Sequence, residues 1–260
     1  MVKRRIIPKL LLKSLQLGNF KKLALVTTVQ YSKHINAGDP VSQAKIYEAQ
    51  SADELIFLNI DYENQDRKLV VEMLKKVSEE IFMPITFGGG VKTVDDFRLL
   101  LNSGADKVSI NSEAINNPSF ITESSKKYGA QCVVVSIDYK NTEEGNRVYI
   151  NNGTTKTNWE PVEWAIECQK LGAGEILITN INRDGINEGL DTTIINQLSK
   201  NINIPIIASG GCGLAKHFID GFNAGADAVS AGTFFCFKDQ SPIQTRSHIA
   251  NSGIPIRLHK

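Results

Sequence analysis

Along this chain, short runs of Val, Ile and Leu alternate with longer stretches whose apolar residues recur at helical spacing. That is the pattern of a parallel sheet whose strands are joined by helices. Eight runs read as strands: Arg5–Leu12, Glu54–Ile60, Ile85–Phe87, Lys107–Ile110, Cys132–Ile137, Glu175–Asn180, Ile204–Ala208 and Ala228–Ala231. Their near-continuous apolar content suits strands covered on both faces. Local signals mark helices between them. Asp39-Pro40 places an N-cap before a proline at the first helical position, and Thr93 with Asp96 opens a run to Asn102 that Gly104 ends. Asn117-Pro118 opens a helix to Tyr128, and Glu160-Pro161 one to Leu171; Gly129 and Gly172 close them. Gln240–Asn251 carries the faintest helical pattern.

Two segments are longer than a barrel connection needs. Ser14–Gly38 follows the first strand, and Asn141–Asn158 follows the fifth and contains a small hairpin, Arg147–Ile150 with Thr154–Thr157. Both follow strand C-termini, the face on which barrels build active sites. Nothing in composition marks a linker. The elements predict one α/β domain over residues 1–260, a (β/α)₈ TIM barrel.

The chain also repeats itself. PITFGGGVKTVDDFRLLLNSGADKVSINS (Pro84–Ser112) aligns without a gap with PIIASGGCGLAKHFIDGFNAGADAVSAGT (Pro205–Thr233), at an offset of 205 − 84 = 121 residues. The same offset matches Glu54-Leu-Ile-Phe-Leu-Asn-Ile with Glu175-Ile-Leu-Ile-Thr-Asn-Ile. A repeat of this size predicts two fused half-barrels.

Lys and Arg number 29 and Asp and Glu 28, a net charge of +1 that offers no electrostatic case for nucleic acid or a membrane surface as partner. Cys132, Cys168, Cys212 and Cys236 form no CxxC or metal-ligand spacing. They read as reduced thiols of a cytoplasmic protein, with no metal or cofactor expected. The N-terminal MVKRRIIPKLLLK is basic then apolar, but it is short for a leader and lacks a small-residue cleavage site. No run reaches transmembrane length.

The repeat concentrates chemistry at its turns. Gly88-Gly89-Gly90 follows the third strand and Asn111-Ser112 the fourth; Gly210-Gly211 and Gly232-Thr233 are the second copy. Glycine turns opening helices suit a phosphate, since backbone N–H groups and the helix dipole favour an anion. They also serve simply as tight turns, but two copies at matched places favour phosphate. Asp184 and Gly185, after the sixth strand, add a carboxylate and a flexible backbone beside the second copy. Asp138 ends the fifth strand, where a general acid or base would sit, although Asp also caps turns. Aligning Lys13 with Lys140 sets Leu11 opposite Asp138, and a leucine transfers no proton. Arg5, Glu54, Lys107 and Glu175 fall in or at the start of strands, where charge is costly unless paired. They read either as a salt-bridged ring across the barrel's bottom or as separate strand-end charges.

Taken as a set, Arg5-Ile-Ile-Pro, Gly88-Gly-Gly, Ala105-Asp-Lys-Val-Ser-Ile-Asn, Val134-Val-Ser-Ile-Asp, Arg183-Asp-Gly and Ala208-Ser-Gly-Gly resemble the cyclase subunit of imidazole glycerol phosphate synthase, over nearly the whole chain. The resemblance implies a (β/α)₈ barrel with two phosphate sites. It also implies a glutaminase subunit docked on the bottom face, whose ammonia passes a salt-bridged gate and crosses the barrel. Arg5, Glu54, Lys107 and Glu175 match the gate; Asp106 and Gln131 match the docking face. Gly89, Gly90, Asn111, Ser112, Asp184, Gly185, Gly210, Gly211, Gly232 and Thr233 fall at the phosphate sites. The departures lie at the top. Leu11 replaces one of two catalytic carboxylates, Asp138 matching the other, and Lys9 replaces a cysteine. Thr27 falls near the family's loop lysine, and Asn59 and Asn182 replace aspartates.

Leu10-Leu-Leu-Lys, Phe82-Met-Pro and Phe235-Cys-Phe look like the branch of cyclase-like proteins of bacterial surface-glycan pathways. That branch works with a glutaminase and a separate sugar amidotransferase to turn an acetamido group into an acetamidino group, on a phosphorylated or nucleotide sugar. The alternative implied is an authentic cyclase of histidine biosynthesis. A phosphoribosyl isomerase ranks last, since it needs a carboxylate from each half and has no use for a charged gate.

Overall fold

The apolar runs pair in parallel and close on themselves. The computed structural model describes residues 3–61, 67–238 and 240–257. Its barrel strands are one (Arg5–Leu17), two (Leu55–Asn59), three (Ile85–Gly88), four (Lys107–Ile110), five (Val133–Thr142), six (Glu175–Asn180), seven (Ile206–Ser209) and eight (Ala228–Ala231). Each pairs in parallel with its successor, and strand eight returns to strand one, so no barrel edge is left open.

Side chains alternate between the two faces of each strand. Ile7, Ile56, Val134, Leu177, Ile207 and Ala228 form a separate apolar layer inside the barrel. Ile6, Leu10, Leu55, Phe57 and Val135, one residue out of phase, belong to the larger core between barrel and helices.

The capped helices form as read. Asp39 accepts from the Ser42 N–H ahead of Pro40–Ala49, and Thr93 with Asp96 makes a reciprocal capping box ahead of Val94–Asn102. The helix signalled by Asn117-Pro118 starts at Ser119 and runs to Tyr128, and Pro161–Leu171 ends on Gly172 in the left-handed region. The faint C-terminal pattern is a helix, Pro242–Asn251, capped by Ser241 and Gln244. Thr192–Asn201 has Asp191 as its N-cap, accepting the Ile194 N–H at 3.3 Å, a signal not read in the sequence; Arg67–Glu80 and Ala215–Asn223 were not read there either. The last has Leu214 at its N-cap and a glycine inside it. Gly221 is there because an added Cβ would lie 2.6 Å from Leu190 Cδ1.

The two long segments are not loops. Strand one continues past the barrel rim and folds back antiparallel as Phe20–Val29 and then Lys33–Gly38. Strand five likewise continues to Thr142 and pairs with Gly145–Ile150, which pairs with the two residues Thr155–Lys156. Both inserts rise over the C-terminal ends of the strands.

Candidate functional site

At the bottom of the barrel, the inward positions preceding the apolar layer carry Arg5, Glu54, Lys107 and Glu175. Arg5 donates through Nη1 to Glu54 Oε1 at 2.6 Å and through Nη2 to Glu175. Lys107 Nζ lies 3.0 Å from Glu54 Oε2 and 3.0 Å from Glu175 Oε2. The four therefore close a ring of alternating sign, with each charge held by both of its opposites. Burial works against the Arg5 charge, but Glu175 and Glu54 outweigh it and hold its pKa above the ordinary value.

Asp106 and Gln131 are exposed beside this ring. Asp106 Oδ2 accepts the Ile85 N–H at 2.8 Å, and its repeat mate Asp227 accepts the Ile206 N–H at 3.0 Å. Asp53 does the same for Ile6 at 2.8 Å. These carboxylates pin the entrances of neighbouring strands. Gln131 Nε2 donates to the Tyr128 carbonyl at 3.3 Å. Phe82, in the connection before strand three and so on this same face, is 94% exposed.

At the top, the glycine turns divide into two adjoining cavities that share Leu11 and Thr28. Gly89, Gly90, Asn111, Ser112 and Asp138 line a cavity of about 540 Å³. Gly210, Gly211, Gly232, Thr233, Asp184 and Gly185 line one of about 30 Å³. The repeat thus gives two sites of the same backbone plan and different size.

Several of these residues also have a packing reason. Gly89 has φ +102°, and an added Cβ would lie 2.0 Å from the Asn59 carbonyl oxygen; Gly210 has φ +88° and meets the Asn180 oxygen at 2.6 Å. Ser112 Oγ accepts the Asn151 N–H at 3.0 Å, anchoring the strand-five insert. Asp184 Oδ2 accepts the Thr28 hydroxyl at 2.5 Å, anchoring the strand-one insert.

Asp138 Oδ2 accepts from Asn111 Nδ2 at 2.9 Å. Burial pushes the Asp138 carboxyl up to about 6, with Asp184 adding to the effect and Lys9, Tyr31 and Asn111 opposing it. Burial likewise raises Asp184, against the pull of Lys9. A carboxyl near 6 exchanges protons at physiological pH, as general acid–base chemistry requires.

Two residues here were not singled out for the site by the pattern. Tyr31 sits in the turn of the strand-one insert at φ +62° and lines the larger cavity together with Asp138. No local signal points to it. Lys9 is 5% exposed and lines the smaller cavity. Period-two alternation from Arg5 would have placed it inside. Thr27 is buried in Phe20–Val29 and lines the same cavity; Asn59 lines the larger one. Asn182 holds the strand-five insert, its Oδ1 accepting the Asn141 N–H at 2.8 Å.

The model of the histidine biosynthesis protein family matches residues 5–241. The chain belongs to this family. Within it, the similarity is to HisF-type chains. It is 47% identical, over the full length of both chains, to a Prochlorococcus marinus protein provisionally named imidazole glycerol phosphate synthase subunit hisF2. It is 43% identical to imidazole glycerol phosphate synthase subunit HisF of Hydrogenobaculum sp. and of Natranaerobius thermophilus, in each case over 99% of this chain and 100% of the relative. This HisF-type barrel has among its described residues no cluster of His, Cys, Asp or Glu able to hold a metal, and no helix long and apolar enough to cross a membrane.

Proposed function

We propose that this HisF-type barrel takes ammonia from a glutaminase subunit at its bottom face and delivers it to a phosphorylated or nucleotide-sugar substrate at the top. The reaction served is acetamidino-sugar formation in lipopolysaccharide or related surface-glycan biosynthesis, with a separate sugar amidotransferase completing the chemistry. The observation that carries this reading is the asymmetry between the two ends. The bottom ring of Arg5, Glu54, Lys107 and Glu175 is complete, whereas at the top Asp138 faces Leu11 across the mouth. A barrel that had lost its use for ammonia would have no reason to keep four charges at its bottom, two of them buried carboxylates, which cost folding energy unless paired.

The interior fits such a passage. Above the ring lies the apolar layer of Ile7, Ile56, Val134 and Leu177, which admits neutral ammonia more readily than an ion. Asp106, Gln131 and the exposed Phe82 supply a mixed polar and apolar patch for the glutaminase beside the ring. Phosphate is held at the glycine turns, and Asp138 serves as the proton-transfer group.

The test is a pair of assays. Added to its glutaminase partner, the barrel raises glutamine hydrolysis. With excess ammonium alone, it does not cyclise the ribulosyl bisphosphate substrate of histidine biosynthesis. A second reading, the authentic lyase-type cyclase, is favoured by the names of the relatives and by the Asp138 carboxyl near 6. Cyclisation at an enzymatic rate with ammonium alone, abolished by Asp138→Asn, establishes that reading in place of the first.

A further inference from the structure

The two glycine-turn cavities share a backbone plan but not a charge. Strand-pairing levels make Lys9 and Ser136 equivalent: Lys9 is level with Ile56 and Ser136 with Leu177, and 177 − 56 = 121, the repeat offset. Each lines the cavity of its own side, Ser136 the larger and Lys9 the smaller. One half therefore presents a hydroxyl where the other presents an ammonium.

The smaller cavity also holds unspent hydrogen-bonding capacity. The hydroxyls of Thr27, Ser209 and Ser230 are buried against it, and none has a partner among the described residues. These residues are 4%, 5% and 0% exposed, and Lys9 is 5% exposed. Lys9 takes part in none of the ion pairs within 4.0 Å among the described residues. The Asp184 carboxylate shares the cavity, but the Thr28 hydroxyl already occupies it. Asp138 lies beyond, in the larger cavity, held by Asn111. Lys9 is within electrostatic reach of Asp138 and Asp184 but is in no ion pair within 4.0 Å, and three buried hydroxyls beside it have no partner among the described residues; an anion satisfies all four at once.

We propose that the smaller cavity is the dominant anion site, taking the dianionic phosphate end of a phosphate monoester on Lys9 and the Thr27, Ser209 and Ser230 hydroxyls, while the larger cavity receives the neutral glycosyl body. The volumes agree. About 30 Å³ suits one small group, and about 540 Å³ lies in the range of a small-molecule site. The assignment rests on reading the glycine turns as phosphate sites, and it gives the substrate a direction across the barrel mouth.

The test is titration of inorganic phosphate into the ¹⁵N-labelled full chain, followed by amide shifts. The expected result is saturation at Gly232 and Thr233 ahead of Asn111 and Ser112, with Lys9→Met weakening it about tenfold or more, the range of a charged hydrogen bond. Ser230→Ala, a smaller change, weakens it about threefold or more and serves if Lys9→Met does not fold. Saturation first at Asn111 and Ser112, or an affinity that neither variant moves, overturns the assignment to Lys9 while leaving the phosphate sites standing. No shift at either cavity up to about 50 mM phosphate, far above ordinary affinities, overturns the phosphate reading itself and the assignment with it.

Discussion

Leu11 and Asp138 hold the same place in the two halves of the barrel. Leu11 is level with Leu58 on strand two, Asp138 with Thr179 on strand six, and 179 − 58 = 121, the repeat offset. The alignment that set a leucine opposite the carboxylate is thus a geometric fact. Of these two matched positions only Asp138 carries a carboxylate, and Tyr31 of the strand-one insert lines the same cavity as it.

Leu11→Asp restores a carboxylate to the first half. It is expected to raise ammonium-dependent cyclisation of the ribulosyl bisphosphate substrate about a hundredfold or more, the low end of a general acid–base contribution. Single-turnover assays measure it. Leu11 is 9% exposed, so the new carboxyl costs about 1–3 kcal/mol of stability even in its neutral form.

The ring of ion pairs predicts a stability loss. Glu54→Gln leaves Arg5 and Lys107 sharing Glu175 alone, in a place where the Glu54 and Glu175 side chains are 9% and 6% exposed. The expected cost is about 2–4 kcal/mol, read from the shift in urea midpoint. Loss of glutaminase stimulation in the still-folded variant would tie the ring to partner signalling as well.

Asp138 gives the protein a pH dependence of definite sign. Its carboxyl is raised from 3.8 to about 6, so between those values the native chain keeps a proton that the unfolded chain has released. Stability from this group is present below about pH 4 and is lost as pH rises through about 6, by about 3 kcal/mol in all. Asp138→Asn removes that slope. The variant is expected to be the more stable one at pH 8, with the gap closing towards pH 4 in parallel thermal melts.

Gly89→Ala and Gly210→Ala are both expected to destabilise by about 2–4 kcal/mol, because each pairs a left-handed φ with a backbone collision. Gly89→Ala is the worse, its Cβ lying 2.0 Å from the Asn59 oxygen against 2.6 Å from Asn180 for Gly210. Melting temperatures without ligand separate this packing role from phosphate binding.

On the bottom face, Phe82→Ser leaves the fold untouched, since the ring is 94% exposed. It is expected to weaken glutaminase binding about tenfold or more, the loss typical of a buried aromatic anchor. Isothermal titration with the partner checks this, and an unchanged affinity moves the docking patch elsewhere.

The barrel strands, the helix caps and the half-barrel repeat are local statements, and the chain spells them out. Thr93 with Asp96 makes its box within one turn, and apolar continuity marks strands two and six however the rest folds. Of the strand-five insert the small hairpin was legible and forms, but the pairing of both inserts with the strand extensions was hidden because it is made across the rim. Phe20–Val29 becomes a strand by lying on the extension of strand one. The glycines were legible as turns, but the Asn59 and Asn180 carbonyls that require them come from other strands.

By itself, then, the sequence determined the order of elements, the repeat, the absence of a carboxylate at Leu11 and the four charges fit to form a ring. Tertiary structure alone decided what those charges touch. Arg5 meets Glu54 across 49 residues and Glu175 across 170, because closing the barrel brings strands one, two, four and six to one axis. Closure likewise set Tyr31 in the cavity of Asp138 and turned Lys9 into the smaller one. Short-range periodicity fixes which face of a strand a residue occupies. Only the closed barrel fixes which side chains share the space that face encloses.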